Sequence, residues 1–364
     1  MADKRLKAWG NNRAGQLGDG SWAAQHTRAT TVLGLSGAEV VGIAAGGAGA
    51  ATGHGLALLA DGTVRSWGAN GSGQLGDGSA SGHSSPDWVV NLGDATGVAA
   101  GGTHSLALCE DGTVLAWGQN THGQLGNGSH ADSGVPVRVR RLDGVIAIAA
   151  GLNHSLALRE DGTVWAWGHN VNGQLGDGTS ATRNVPVQVA GLDAVTRIAA
   201  GANHSLAVVG GHAVKAWGFN ASGQLGDNTT INRYNPVTVR GGWSGGVARI
   251  AAGCHHSLAV TGGDHRLKAW GRNTSGQLGD GTTTFRTTPV PVPGLSGVRL
   301  VAGGREHTVV VLADGAVRTC GGNASGQLGD GGTTDSSTPV TALADLTRAD
   351  RIAAPVGGDF SLAN

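Results

Sequence analysis

The sequence predicts an all-β protein: a seven-bladed β-propeller with four-stranded blades, its ring closed by pairing of the N- and C-terminal strands. Three observations predict it. A unit of about fifty residues repeats along the chain, the signature of one stacked architecture rather than several domains. The string Gly-Gln-Leu-Gly followed by Asp or Asn returns at Gln16, Gln74, Gln124, Gln174, Gln224, Gln277 and Gln327. The two chain ends each carry half of a hairpin that the internal units carry whole.

The unit beginning at Ile198 displays its elements in order. Ile198-Ala199-Ala200-Gly201 is a short apolar run bounded by glycine, too short for a helix and suited to a buried strand. Asn203-His204 ends a tight loop, and Ser205-Leu206-Ala207-Val208 forms the second strand. Gly210-Gly211 turns the chain. Other units turn at Asp61-Gly62, Asp111-Gly112, Asp161-Gly162 and Asp314-Gly315, dipeptides that supply the positive φ of a tight hairpin. The third strand is Val214-Lys215-Ala216-Trp217-Gly218. Its Trp-Gly pair recurs at Trp9, Trp67, Trp117, Trp167 and Trp270, with Cys320-Gly321 in the seventh copy. Asn220 and Gly223 to Asp227 make a polar turn, and Pro236-Val237-Thr238-Val239 makes the outer strand. Four short strands per unit fit a propeller blade.

The ends complete the ring. Arg5-Leu6-Lys7-Ala8-Trp9-Gly10 is a second hairpin strand without its first, and Phe360-Ser361-Leu362-Ala363 is a first without its second. Their pairing makes residues 1–364 one propeller, with a closing blade shared by residues 1–35 and 340–364, and removes two unpaired sheet edges.

Composition narrows the function classes. Glycine contributes 67 residues, far above the usual share of roughly 7%. Without a collagen triplet, this signals many turns and close-packed strands. The 25 basic and 25 acidic residues balance, so nucleic-acid binding by a basic stripe is not expected. No apolar run is long enough to span a membrane. The segment Met1 to Arg5 lacks the apolar core of a secretory signal. Cys109, Cys254 and Cys320 are odd in number and irregular in spacing, which argues against a disulfide framework and a structural zinc site. A reducing cytoplasm is expected. Arginine exceeds lysine and alanine is abundant, which points to a GC-rich bacterial genome.

Gly-x-x-His-Ser-Leu-Ala-Leu, then Asp-Gly-Thr-Val-x-Ala-Trp-Gly-x-Asn, then Gly-Gln-Leu-Gly-Asp-Gly together resemble the repeats of the regulator of chromosome condensation family. The resemblance covers essentially the whole chain. It implies the propeller fold and says little about activity. Members of that family include a guanine-nucleotide exchange factor for a small nuclear GTPase, plant ultraviolet-B photoreceptors and bacterial propellers that inhibit β-lactamases. This chain has no long insertion like the exchange factor's wedge. Its Gly-x-x-His loops carry small or polar residues where the photoreceptors have tryptophan and the inhibitors have aromatics.

Residues present in nearly every blade read as scaffold. His54, His104, His154, His204, His256 and His307, with Phe360 in the seventh place, do one structural job per blade, such as bonding a loop carbonyl. Asp19, Asp77, Asp177, Asp227, Asp280 and Asp330, with Asn127 in one copy, read as turn caps. No Asp-x-Asp-x-Asp spacing offers the six or more oxygens that calcium needs. Neither a metal nor a cofactor is expected.

Function is expected where the blades differ. The two variable residues of the Gly-x-x-His loop place Asn153, Asn203, His255, Glu306 and Asp359, with Arg305 beside Glu306, on neighbouring blades of one ring face. This arc suits recognition of a protein partner. The alternative is a small polar ligand held in an axial pocket, or a biosynthetic enzyme in which His255, Glu306 and Asp359 would do acid–base work. A solvated rim is the plain alternative to both. Exchange activity on a GTPase rests on the resemblance alone. The longer loop from Gly46 to His54 reads either as a contact loop or lid, or as a tolerated insertion. Trp22 and Trp88, placed in the polar loops after the Gly-Gln-Leu-Gly-Asp-Gly element, read either as partner anchors or as packing over blade edges. Trp165 is expected to pack on a neighbouring blade. Cys254 adjoins His255 and His256, but adjacent strand residues point to opposite faces.

Overall fold

The computed structural model describes residues 5–342 and 349–364. Residues 1–4 and 343–348, which fall within the expected closing-blade span, lie outside the described residues. The described strands form seven four-stranded antiparallel sheets. Six sheets are built from consecutive strands. In the third blade these are Val145–Ala150, His154–Arg159, Val164–Gly168 and Arg183–Gln188, from the axis outward.

The innermost strands converge on the axis, where Ala44, Ala99, Ala149, Ala199, Ala251 and Ala302, together with Ile148, Ile198 and Ile250, line a central channel of about 350 Å³. The next two strands are buried on both sides and read as continuous apolar runs. The outer strand is only partly buried, with exposed positions such as Val135 and Arg138 facing water.

The core lies between blades. Leu106 and Ala116 of one blade share a cluster with Ala157 and Trp167 of the next, and Leu156 and Ala166 share one with Ala207 and Trp217. Each of Trp67, Trp117, Trp167, Trp217 and Trp270 is fully buried, which contributes about 5 kcal/mol per ring from apolar burial. A single blade cannot bury its faces alone, so the ring must be complete to be stable.

Closure follows from the two orphan strands. Lys7–Asn11 pairs with Phe360–Ala363 in the register Lys7↔Ala363 to Gly10↔Phe360. Ile352–Ala353 lies inside this pair and Gln25–Thr31 outside it. The closing blade therefore takes its two inner strands from the C-terminus and its two outer strands from the N-terminus.

Candidate functional site

The recurring histidines join blades. Nε2 of His104 lies 3.0 Å from the hydroxyl of Ser155 on the next blade, and His154 and His204 reach Ser205 and Ser257 at 3.0 and 2.9 Å. The expected partner was a loop carbonyl; the actual one is a hydroxyl across the blade boundary. The carbonyl enters one step later. Ser155 Oγ donates to the Gln124 carbonyl at 3.0 Å, which also accepts from Trp167 Nε1 at 2.8 Å. Because the hydroxyl proton is committed to that carbonyl, its oxygen accepts from the histidine. This fixes the Nε2–H tautomer and leaves Nδ1 bare, and Nδ1 of all six histidines has no partner. Burial lowers their pKa values, to about 3 in His104, His154 and His256 and about 4 in His54 and His307. They are neutral structural groups.

The turn aspartates are structural too. Asp177 Oδ1 accepts from Asn170 Nδ2 at 3.1 Å and from the Thr179 amide at 3.0 Å. Its other oxygen pairs with Arg183 at 2.9 Å. Arg233–Asp227, Arg286–Asp280 and His83–Asp77 repeat the clasp. Asn127 replaces the aspartate where the corresponding residue is Ser133 rather than a cation.

The variable loops cluster on one ring face, where they meet a second variable position that the Gly-x-x-His reading overlooks. This is the residue after Trp-Gly. Its amide bonds the carbonyl of the residue before the histidine position in every blade: His169 to Asn153, Phe219 to Asn203 and Arg272 to His255 at 2.8 Å, and Gly322 to Glu306 at 2.7 Å. That bond brings the two variable side chains to the same surface. Its sequence signal was available, since the position reads Asn11, Ala69, Gln119, His169, Phe219, Arg272 and Gly322 around the ring.

Side chains then couple neighbouring blades. The Phe219 ring packs against His255 with centroids 5.5 Å apart. Arg272 lies 3.4 Å from Glu306, and Arg305 lies 3.4 Å from Asp359. Ser275 Oγ donates to Glu306 at 3.4 Å. On the other side of Phe219, Gln174 Nε2 bonds His169 Nδ1 at 2.8 Å and Asn203 at 3.3 Å. Phe219 stands where its neighbour has His169, so it offers Gln224 no such acceptor. Gln224 Nε2 and His255 Nδ1 are accordingly buried without partners. Burial and then Arg272 lower the His255 pKa, against the pull of Glu306. Burial raises the Asp359 pKa, against the pull of Arg305.

The propeller model of the RCC1-like domain matches residues 5–363. The chain belongs to the RCC1-like domain family. Among solved structures, it is similar to Prp20p from Saccharomyces cerevisiae at 26% identity and a TM-score of 0.86, over 99% of this chain and 90% of that one. That structure was described together with the binding of Prp20p to Gsp1p and histones. Human WBSCR16 matches at 24% identity and a TM-score of 0.86, over 99% and 98% of the two chains. Yeast RCC1 (Prp20) bound to Kap60 matches at 24% identity and a TM-score of 0.86, over 99% and 88%.

In this RCC1-like propeller the arc is a surface, not an axial pocket. The channel is lined by alanine, isoleucine, valine and glycine, and none of His255, Glu306 and Asp359 lines it. Above it, a Cβ built on Gly357 of the closing blade would lie 2.7 Å from Leu152 Cδ2 and 3.0 Å from Ala48 Cα. Leu152 and the Gly47–Gly53 loop thus reach across the ring. The loop is pinned by Ala48 N–H to Thr52 Oγ1 at 2.8 Å, by Gly47 N–H to the Gly101 carbonyl at 3.0 Å and by Gln16 Nε2 to the Ala50 carbonyl at 3.2 Å. The Asn153 amide side chain lies on the same face, two blades from His255.

The extra tryptophans separate. Trp22 lies in the expected loop and is 57% exposed. Trp88 does not: it ends the outer strand His83–Trp88, where the Arg65 guanidinium lies 3.1 Å from its ring centroid. Because Gly68 pairs with His83 at the arc end of this strand pair, Trp88 sits at the opposite end of the blade. The two do not form one patch. Trp165 is half-buried and packs on the cluster that joins the second and third blades. Burial pushes the Cys254 thiol up to about 11, so its neighbours do not activate it.

Proposed function

We propose that this chain is a protein-recognition propeller whose partner docks on the ring face of the Gly-x-x-His loops, centred on Phe219 and His255. The observation that carries this reading is the Phe219–His255 pair, with two buried unpartnered nitrogens beside it and two arginine–carboxylate bridges along its flank. Binding hot spots combine an aromatic anchor with charged groups at a rim that excludes water. Unpartnered buried nitrogens are costly in the free protein, and a docked carbonyl or hydroxyl would satisfy them once the Gln224 and His255 side chains turn toward it. The protein binding described for Prp20p supports the same class of role. The three unpaired cysteines accord with a reducing cytoplasm.

The small-molecule or enzymatic alternative draws less support. Arginines hold Glu306 and Asp359, and the axis beside them is covered rather than open. The test is a comparative pull-down with wild type and a Phe219→Ala/His255→Ala variant. Each protein captured by wild type alone is then purified and titrated against both. A direct interaction weakened at least tenfold, with an unchanged melting temperature, supports the reading. Equal affinity for both forms removes this face as the docking site. Selective capture of a small molecule with no protein would favour the alternative.

A further inference from the structure

A second site lies at the other end of the ring. The loops between first and second strands form the arc face, so the hairpin turns between second and third strands form the opposite one. There, a cavity of about 400 Å³ opens between the fourth, fifth and sixth blades. Arg197, Arg249, Arg299 and His265 line it, with Val298 and Ala313 as apolar wall. Among the described residues, no carboxylate does.

The placement follows from the repeat. The third residue of the inner strand reads Gly42, Gly97 and Ala147 in the first three blades, then Arg197 and Arg249 in the next two. Arg299 enters one residue earlier in the sixth blade. It is engaged by Asp350 at 3.0 Å. Asp264, the carboxylate nearest His265 in sequence, is turned to Thr261 and Arg266. Among the described residues, Arg197 and Arg249 make no hydrogen bond or ion pair. Partial burial, and then the charge of Arg197, depress the Arg249 pKa. Two guanidinium groups are thus held close enough to repel each other in a chain of zero formal charge.

We propose that this cavity binds a compact polyanion with adjacent phosphate groups. Guanidinium forks match phosphate oxygens two at a time. The volume falls within the roughly 300–1,000 Å³ of small-molecule sites, more room than a single oxyanion fills. A wall of Val298 and Ala313 excludes water on one side, which strengthens the attraction.

Calorimetric titration of the full chain with inorganic tripolyphosphate tests this. Wild type is expected to bind, and Arg197→Gln/Arg249→Gln to bind at least tenfold more weakly. Arg138→Gln/Arg140→Gln, which removes two exposed arginines from the outer edge of the second blade, is expected to bind like wild type. Melting curves check that each variant is folded; both Arg197 and Arg249 are exposed. Citrate, a tricarboxylate, forms the second arm. No binding at millimolar tripolyphosphate, or equal binding by the Arg197/Arg249 variant, overturns the site. Equal or tighter binding of citrate overturns the assignment to phosphate.

Discussion

Nε2 of His307 lies 2.9 Å from the hydroxyl of Ser361, so the last complete blade is latched by a side chain to the strand that closes the ring. Ser361 pairs directly with Trp9, whose indole N–H in turn donates to the Gln327 carbonyl of that same sixth repeat at 2.9 Å. Closure therefore rests on strand pairing, on this latch and on a buried indole together.

Ser361→Ala is expected to lower stability by about 1 kcal/mol, the net worth of one buried hydrogen bond. Truncation before Asn12 removes the whole Lys7–Asn11 strand and leaves Phe360–Ala363 with an open edge. A lower and broader thermal transition is expected by calorimetry. An unchanged melting curve would remove closure as a source of stability.

The buried histidines make the protein acid-sensitive. Their folded pKa values lie below the unfolded value of about 6.5, so below that pH the unfolded chain binds more protons. Stability is full above pH 6.5 and falls as the pH drops toward the folded values of about 3 to 4. Each histidine contributes a slope of about 1.4 kcal/mol per pH unit inside that window. Denaturant unfolding at pH 7.5 and pH 5.0 reads this directly. A flat stability profile over that range would contradict the neutral buried imidazoles.

Phe360 stands in the seventh histidine position, and Gly55 stands where the facing strand elsewhere carries Ser or Thr. The pair changes together because each half needs the other. Phe360 packs in an apolar cluster with Trp67, and a Cβ on Gly55 would lie 2.4 Å from the Trp67 ring. Phe360→His should cost about 2–4 kcal/mol, through a cavity and a desolvated ring. Adding Gly55→Ser should cost less than the sum of the two single changes. Strict additivity in the double-mutant cycle would show that the two positions are uncoupled.

The His255 imidazole reports on the arc. Glu306→Gln removes the group that raises its pKa and is expected to lower it further, whereas Arg272→Met is expected to raise it. Titration followed by NMR of the His255 ring separates the two. Shifts of the opposite sign would mean that Arg272 and Glu306 do not face it.

All three thiols should be slow to react. Burial pushes Cys109 and Cys254 to about 11 and Cys320 to about 12, so almost no thiolate exists at pH 7.5. A disulfide reagent is expected to label the native protein slowly and the denatured protein at once. Rapid native labelling would place at least one thiol in an accessible, activated setting.

Much of the arc was legible in sequence because a repeat separates scaffold from variation. His255, Arg305, Glu306 and Asp359 were visible as departures from the unit, but the ion pair of Arg305 with Asp359 was not. Phe219 and Arg272 escape that separation, although their position varies as much. They lie in a different loop of the unit, and only the backbone bond from Arg272 to His255 shows that the two loops share a surface. Trp88 was misplaced because the outer strand begins at His83, before the apolar run that marks it.

The sequence by itself determined the all-β class, the blade count, the strand order within a blade and the closure. Each follows from local periodicity and from a repeat whose ends are complementary. Only the tertiary structure decided which side chains meet. It paired His104 with Ser155, some fifty residues away by the repeat length, set Phe219 against His255, laid Leu152 and Ala48 over the axis and gathered Arg197 and Arg249 at the far end. Those contacts cross blade boundaries. They depend on how adjacent sheets are rotated about a common axis, a relation that a one-dimensional pattern does not contain.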